Sequence, residues 1–352
     1  MNFIISGIQQ VGIGVPDVEQ IWKWYRKYFG IDIKIFEEAA QAPLMTKYTG
    51  GQVHSRTATL ALSLQGGGGF EIWQYTSRNT QKAAFDIQAG DLGIFITRIK
   101  CKNVTKCFEW FTKEKLNIVG ALSTAPDGKL HFFVKDPNDN LFEIAEGYDW
   151  YADTNHLCGG VAGVILGVSN IENSKKLYSD VLGYNQTLYD QTETFTDLHA
   201  LNGGHKKFRR VLLTHTESRK GPFSELLGKT TIELLQAYDY SPRKIFENRF
   251  WGDWGYIHLC FDIQNMPALK MACENAGFPF VIDSGGNFDM GEAGGHFTYI
   301  EDPDGTLIEF VEAYKIPIIK KIGWYLNLRK RNPEKPLPRF MLKALKFNRV
   351  KN

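Results

Sequence analysis

The sequence predicts an α+β fold built from four tandem βαβββ units and closed by a basic C-terminal tail. Three observations carry this: a strand-into-helix pattern that recurs four times, a glutamate in the last strand-like run of every unit, and matched spacings between the two. Internal repeats of this kind decide architecture before any single element does.

The first unit opens at Gly7–Asp17, where Val11, Ile13 and Val15 alternate as a half-buried strand does and Asp17 offers a helix N-cap. A helix over Val18–Phe29 follows, stopped at Gly30 by a left-handed cap. Gly160–Asn170 repeats the plan, with Tyr178 matching Tyr25 and Gly183 matching Gly30. The second unit starts at Leu92–Ile99 with a helix over Val104–Lys113, and the fourth at Tyr256–Ile263 with a helix over Met266–Ala276. Each unit ends on a glutamate between apolar residues: Glu71, Glu143, Glu233 and Glu309.

Gly93 to Glu143 spans 50 residues and His258 to Glu309 spans 51. Both stretches carry an Asp-Pro turn seven residues before the glutamate, at Asp136 and Asp302. The first unit of each half is longer, 61 residues from Gln10 to Glu71 and 70 from Gly163 to Glu233. Covalent neighbours usually pair in space, so units 1 with 2 and 3 with 4 are expected to share a sheet. The corresponding domains are residues 1–152 and 158–314, with residues 315–352 as a basic amphipathic tail. Gly66–Gly69 reads as a flexible hairpin link, and Gly285–Gly295, with five glycines, as a lid loop.

The chain has 352 residues, 43% of them hydrophobic, which is enough for two cores. No run approaches the ~20 apolar residues needed to span a bilayer, and the N-terminus lacks the basic region of a signal peptide. Five scattered cysteines fit buried thiols in a reduced, cytoplasmic compartment and form no zinc-knot spacing. The net charge of +2 hides a division, because residues 315–352 hold twelve Lys/Arg against Glu334 alone. Within that tail, Ile318, Ile319, Ile322, Tyr325 and Leu326 fall on one face if Ile316–Leu328 is helical. The tail is expected to dock on the acidic body, with peripheral contact with an anionic membrane and contact with a partner as the alternatives. Nucleic acid is not expected, since the body is acidic and carries no recognised binding motif.

The four units resemble the glyoxalase, bleomycin-resistance and extradiol dioxygenase (vicinal oxygen chelate) superfamily over residues 5–314. The resemblance implies two curled mixed-sheet cups, one glyoxalase-like domain per half, and a small-molecule substrate, either within one chain or in a homodimer. It also implies ligand positions in the first strand of a unit, usually His or Gln, and at the last-strand glutamate. Carried over, these give Glu233, His258 and Glu309 as the leading metal set, with Glu233 as a catalytic base and Tyr299 as a second catalytic candidate. Gln10, Glu71 and Glu143 form a secondary set, with Gly93 (or Ile96, by another count) and Gly163 at positions that offer no ligand. The implied cofactor is a divalent ion (zinc, nickel, manganese, cobalt or iron) that polarises a carbonyl or stabilises an enediolate. Lys, Arg, Tyr or protonation could equally neutralise buried glutamates. The favoured chemistry is that of an isomerase or lyase. A metal-free binding protein and a ring-cleaving dioxygenase are the alternatives; the latter lacks a second histidine, because Gly163 stands where one would be.

Overall fold

The computed structural model describes residues 2–286, 288–289, 294–319 and 322–351. Unit 1 comprises β1 (Ile4–Gly14), α1 (Val18–Phe29), β2 (Ile33–Gln41), β3 (Ser55–Leu62) and β4 (Gly69–Tyr75). Unit 2 is β5 (Gly93–Cys101), α2 (Val104–Lys113), β6 (Asn117–Thr124), β7 (Leu130–Lys135) and β8 (Leu141–Glu146). Unit 3 is β9 (Cys158–Gly167), α3 (Ile171–Lys175), β10 (Gln186–Glu193), β11 (Phe208–Thr214), a short α4 (Ser224–Leu227) and β12 (Thr231–Ala237). Unit 4 is β13 (Gly255–Gln264), α5 (Met266–Asn275), β14 (Ile282–Asp283), β15 (Phe288–Asp289), β16 (Gly294–Glu301) and β17 (Leu307–Ile319).

Local signals set these elements. The Asp17 side chain accepts a hydrogen bond from the Gln20 amide at 2.9 Å, and α1 stops at Gly30 in the left-handed region, φ 68°. The helices α2, α3 and α5 are capped in the same way by Asn103, Asn170 and Asn265.

Pairing of the units is not what covalent adjacency suggests. Among the described residues, one sheet runs β14-β16-β17-β13-β1-β4-β3-β2 and the other β10-β11-β12-β9-β5-β8-β7-β6. Unit 1 therefore shares a sheet with unit 4, and unit 2 with unit 3, so neither half of the sequence closes a cup by itself. The seams are antiparallel β1–β13, from Ile4 beside Gln264 to Gly14 beside Gly255, and antiparallel β5–β9. Units 2 and 3 are joined by residues 147–157, whereas the longer segments 76–92 and 238–254 cross from one sheet to the other.

Adjacent units still touch, but through the helix layer. The Tyr25 hydroxyl of α1 donates to Asp136 at 2.6 Å in the Asp-Pro turn of unit 2, and the Tyr178 hydroxyl donates to Asp302 at 2.9 Å in that of unit 4. Around Tyr25 pack Phe29, Phe70 and Phe142, all fully buried within the main core. Gly66–Gly69 is a buried crossing and not a loose link: Gly68 pairs with Val161, and a β-carbon on Gly160 would lie 2.2 Å from the Gly68 oxygen. The Gly285–Gly295 loop lies partly outside the described residues.

The tail docks, but its first part is not helical. β17 continues to Ile319, and β18 (Trp324–Asn327) returns against it, pairing Ile316 with Leu326. A strand hairpin replaces the helical stripe: Ile316 and Ile318 are buried within β17, while Ile322, outside both strands, is 72% exposed. Consecutive β-branched residues beside an open sheet edge favour that outcome. α6 (Arg339–Lys343) and the turn after it then cover β2, burying Leu337, Leu342 and Leu345. The Val350 amide donates to the Asp32 oxygen, and Arg349 pairs with the Asp32 carboxylate at 2.9 Å. Each buried leucine or isoleucine is worth about 1.5–3 kcal/mol, and the exposed ion pairs add little. Deleting residues 316–352 is expected to lower the melting temperature and raise binding of an apolar dye; an unchanged melting curve would count against docking.

Candidate metal centre

The seam between β1 and β13 brings together what the sequence separates by 299 residues: the Gln10 amide donates to Glu309 at 3.3 Å. His258 Nε2 lies 3.2 Å from Glu309 Oε2 and 3.4 Å from Glu71 Oε2. One ligand atom from each of Glu71, His258 and Glu309 falls within 4.8 Å of the others.

The register explains the convergence. Glu71 on β4 sits beside Gly12, two residues after Gln10, and Glu309 on β17 sits beside Cys260, two residues after His258. Each strand pair thus contributes one first-strand donor and one glutamate, and the antiparallel seam turns the two pairs to face each other.

Gly12 makes room for the imidazole. It lies opposite His258, and a β-carbon there would fall 2.3 Å from Cε1 of that ring. Gly12→Ala is expected to push His258 off its position, costing about 1–3 kcal/mol of overpacking and weakening divalent-ion binding. Calorimetry with the ion would show it, and unchanged affinity would mean that the ring has freedom to move.

These groups are buried and poorly satisfied. Neither nitrogen of His258 has a hydrogen-bond partner, and the Gln10 carbonyl oxygen is likewise unpartnered. Burial holds the His258 pKa down at about 3, so the ring is neutral with one nitrogen lone pair available. Burial, and then the facing Glu71, push Glu309 up to about 8, partly offset by Tyr299, Cys260 and Gln10. Burial also raises Glu71 to about 7 against the pull of Arg56. Buried nitrogen and oxygen donors without partners are what a borderline or hard divalent cation satisfies. The residues present fit such an ion.

Tyr299 lies beside Glu309 in the β16–β17 ladder, with its ring 5.6 Å from that of His258. Trp251, from the aromatic loop before β13, lies parallel to His258 at 6.1 Å and edge-on to Trp73 at 4.6 Å. Trp251 and Tyr299 both line a cavity of about 440 Å³ that reaches Gln10, Glu71 and Glu309.

Glu233 is not part of this group. It lies in the other cup, where Arg210 Nε reaches it at 2.5 Å and Arg98 Nη2 at 2.9 Å. Glu143 is there too, 2.5 Å from Arg98 Nε and 2.8 Å from His131 Nδ1. Burial acts to raise the Glu143 pKa, but Arg98 and His131 outweigh it and hold the group well below the usual carboxylate range. Glu143 sits beside Arg98 and Glu233 beside Ile165, so the first-strand positions of this cup are Ile96 and Gly163. Neither is a ligand, Gly93 is not the equivalent position, and guanidinium groups occupy the place of a cation. The secondary set is therefore divided: Gln10 and Glu71 join His258 and Glu309, while Glu143 stays with Glu233. Elsewhere, Cys101, Cys107 and Cys158 meet in the core, with the sulfurs of Cys107 and Cys158 3.5 Å apart, although no sequence spacing announced it.

The Glyoxalase/Bleomycin resistance protein/Dioxygenase superfamily model matches residues 7–144, which places that segment in the superfamily. The fold of the chain extends the likeness beyond it. A mutant of glyoxalase I from Zea mays aligns with a TM-score of 0.55 at 16% identity, over 87% of this chain and 93% of that one. Unmodified Zea mays glyoxalase I aligns at 0.51 and 16%, over 87% and 92%. A dioxygenase-like protein from Bacillus subtilis subsp. subtilis str. 168 aligns at 0.57 and 12%, over 88% and 86%. At these identities the likeness is one of fold. No curated protein matches the chain.

Proposed function

We propose that this chain is a metal-dependent enzyme acting on a small oxygen-rich or carbonyl substrate by isomerase or lyase chemistry. Gln10, Glu71, His258 and Glu309 would hold a divalent ion, and Tyr299 would sit beside the reacting group. The observation that carries the reading is the convergence of buried Glu71, His258 and Glu309, with Gln10 bonded to Glu309 and both His258 nitrogens lacking a hydrogen-bond partner, beside a cavity that Gln10, Glu71 and Glu309 line. Such an ion supplies Lewis acidity to a substrate's adjacent oxygens.

The chain's own residues supply the rest. A carboxylate not clamped by the ion can take a proton from carbon and return it, a role open to Glu71 or Glu309. Trp251 and Trp73 keep water from the inner face of the site. One imidazole with two carboxylates does not match the two-histidine, one-carboxylate set of iron oxygenation, which favours proton transfer over ring cleavage.

Metal content of the purified protein, followed by calorimetric titration with nickel and zinc, tests the reading. Uptake of one ion per chain is expected, and a protein that takes up none at pH 8 overturns it. Protons and metal compete for Glu71 and Glu309, which titrate near 7 and 8, whereas His258 is already neutral. Affinity should therefore rise with pH, by about tenfold per unit for each proton displaced, and level off above 8. A flat profile between pH 6 and 8 would show that these carboxyls are not ligands.

A further inference from the structure

The cavity below the four donors is unlike them. Its walls are aliphatic and aromatic: Phe36 and Leu62 from unit 1, Leu44 from the turn after β2, Phe223 from unit 3, and Ile316 and Leu345 from the tail. The tail is thus a wall of the cavity as well as a cap. About 440 Å³ lies within the ~300–1,000 Å³ range of small-molecule pockets.

Its basic side chains already have partners. Arg56 is 4% exposed, its charge answered by the Glu38 carboxylate at 2.6 Å, with a further bond to the Glu38 carbonyl at 2.8 Å and stacking 4.9 Å from the Trp73 ring; its Nε alone lacks a partner. Lys315 lies 4.6 Å over the Tyr325 ring, and His296 is held by Asp283 at 2.5 Å. An anionic group on the body of a ligand would lose its water here without gaining an uncommitted cation, which is costly.

We propose that the site takes a ligand of two parts: a pair of adjacent oxygens for the donor cluster, and an uncharged hydrocarbon chain or ring of about six to eight carbons for the cavity. The oxygen-binding half rests on the metal reading above. The hydrocarbon half rests on the walls alone.

Hydroxamic acids separate the two, because every member presents the same two oxygens. Nickel-loaded protein would be titrated with acetohydroxamic acid, octanohydroxamic acid and the eight-carbon analogue ending in a carboxylate. Burial of a methylene is worth about fourfold in affinity. Octanohydroxamate is therefore expected to bind at least about 100-fold tighter than acetohydroxamate, with most of that gain lost for the carboxylate-ended analogue. Leu345→Glu should abolish the chain-length gain while leaving acetohydroxamate and nickel affinity unchanged. Leu44→Glu, at a wall residue that is 43% exposed and so tolerant of charge, repeats the test where folding is not at risk.

If nickel and acetohydroxamate bind but the longer chain gains nothing, the hydrocarbon proposal is wrong and the metal reading stands. If nickel does not bind, the metal reading is wrong. The same pair on metal-free protein then decides the cavity: a chain-length gain sensitive to Leu345→Glu supports it, and no gain overturns it.

Discussion

Glu233→Ala is expected to destabilise the protein by about 3–5 kcal/mol while leaving divalent-ion uptake untouched in any fraction that folds. Glu233 is fully buried between Arg210 and Arg98, and Arg210 itself is shut off from water. Removing the carboxylate leaves two guanidinium groups in a low-dielectric interior, one still answered by Asp197 and the other by Glu143. Breaking one partner of a buried pair costs far more than the pair contributes net, because the remaining charge cannot regain its hydration. Denaturant midpoints would measure the loss. Glu233→Gln, which keeps the volume and two hydrogen-bonding atoms, should lose less and keeps the test readable if alanine prevents folding. Loss of metal uptake by a folded Glu233→Gln protein would return this residue to the metal centre.

The arrangement of units explains which parts of the protein can be read from its residues. Strand alternation at Val11, Ile13 and Val15, the cap at Asp17 and the stop at Gly30 are decided within a few residues, and the elements they define are the observed ones. The choice between neighbouring and distant units is made between strand edges far apart in the chain, which no local pattern reports. Gln10, Glu71, His258 and Glu309 were all identified as ligand positions, but grouping them by halves split them apart. A signal was present: pairing unit 1 with unit 4 completes all four donor positions in one cup and leaves Ile96 and Gly163 together in the other. The role of Gly12 is not legible in the sequence, because a glycine in a strand declares its purpose only when the ring opposite is known. In the tail, Ile318, Ile319 and Ile322 suit a helical face as well as a hairpin, and contact with the edge of the sheet settled it.

His258→Ala is expected to lower divalent-ion affinity by more than 100-fold, since even residues that only support a ligand cost about 10–100-fold when removed. The imidazole would supply the nitrogen of the proposed set, and its Nε2 is the atom facing both carboxylates. Without an ion the ring is a buried polar group with no hydrogen-bond partner, so its loss removes an unfavourable burial along with packing against Trp251 and Tyr299. The metal-free variant should therefore melt close to the metal-free parent. The difference should appear only on adding the ion, which stabilises the parent through binding to its folded form and does nothing for the variant. Melting curves with and without nickel, for His258→Ala and Glu233→Gln side by side, resolve the two cups. The first substitution should erase the ion's stabilisation with little change in its absence, and the second should lower both curves equally. A His258→Ala protein still stabilised by nickel to the parent's extent would mean that the ion binds elsewhere, and the cluster of Gln10, Glu71 and Glu309 would lose its claim to be the metal centre.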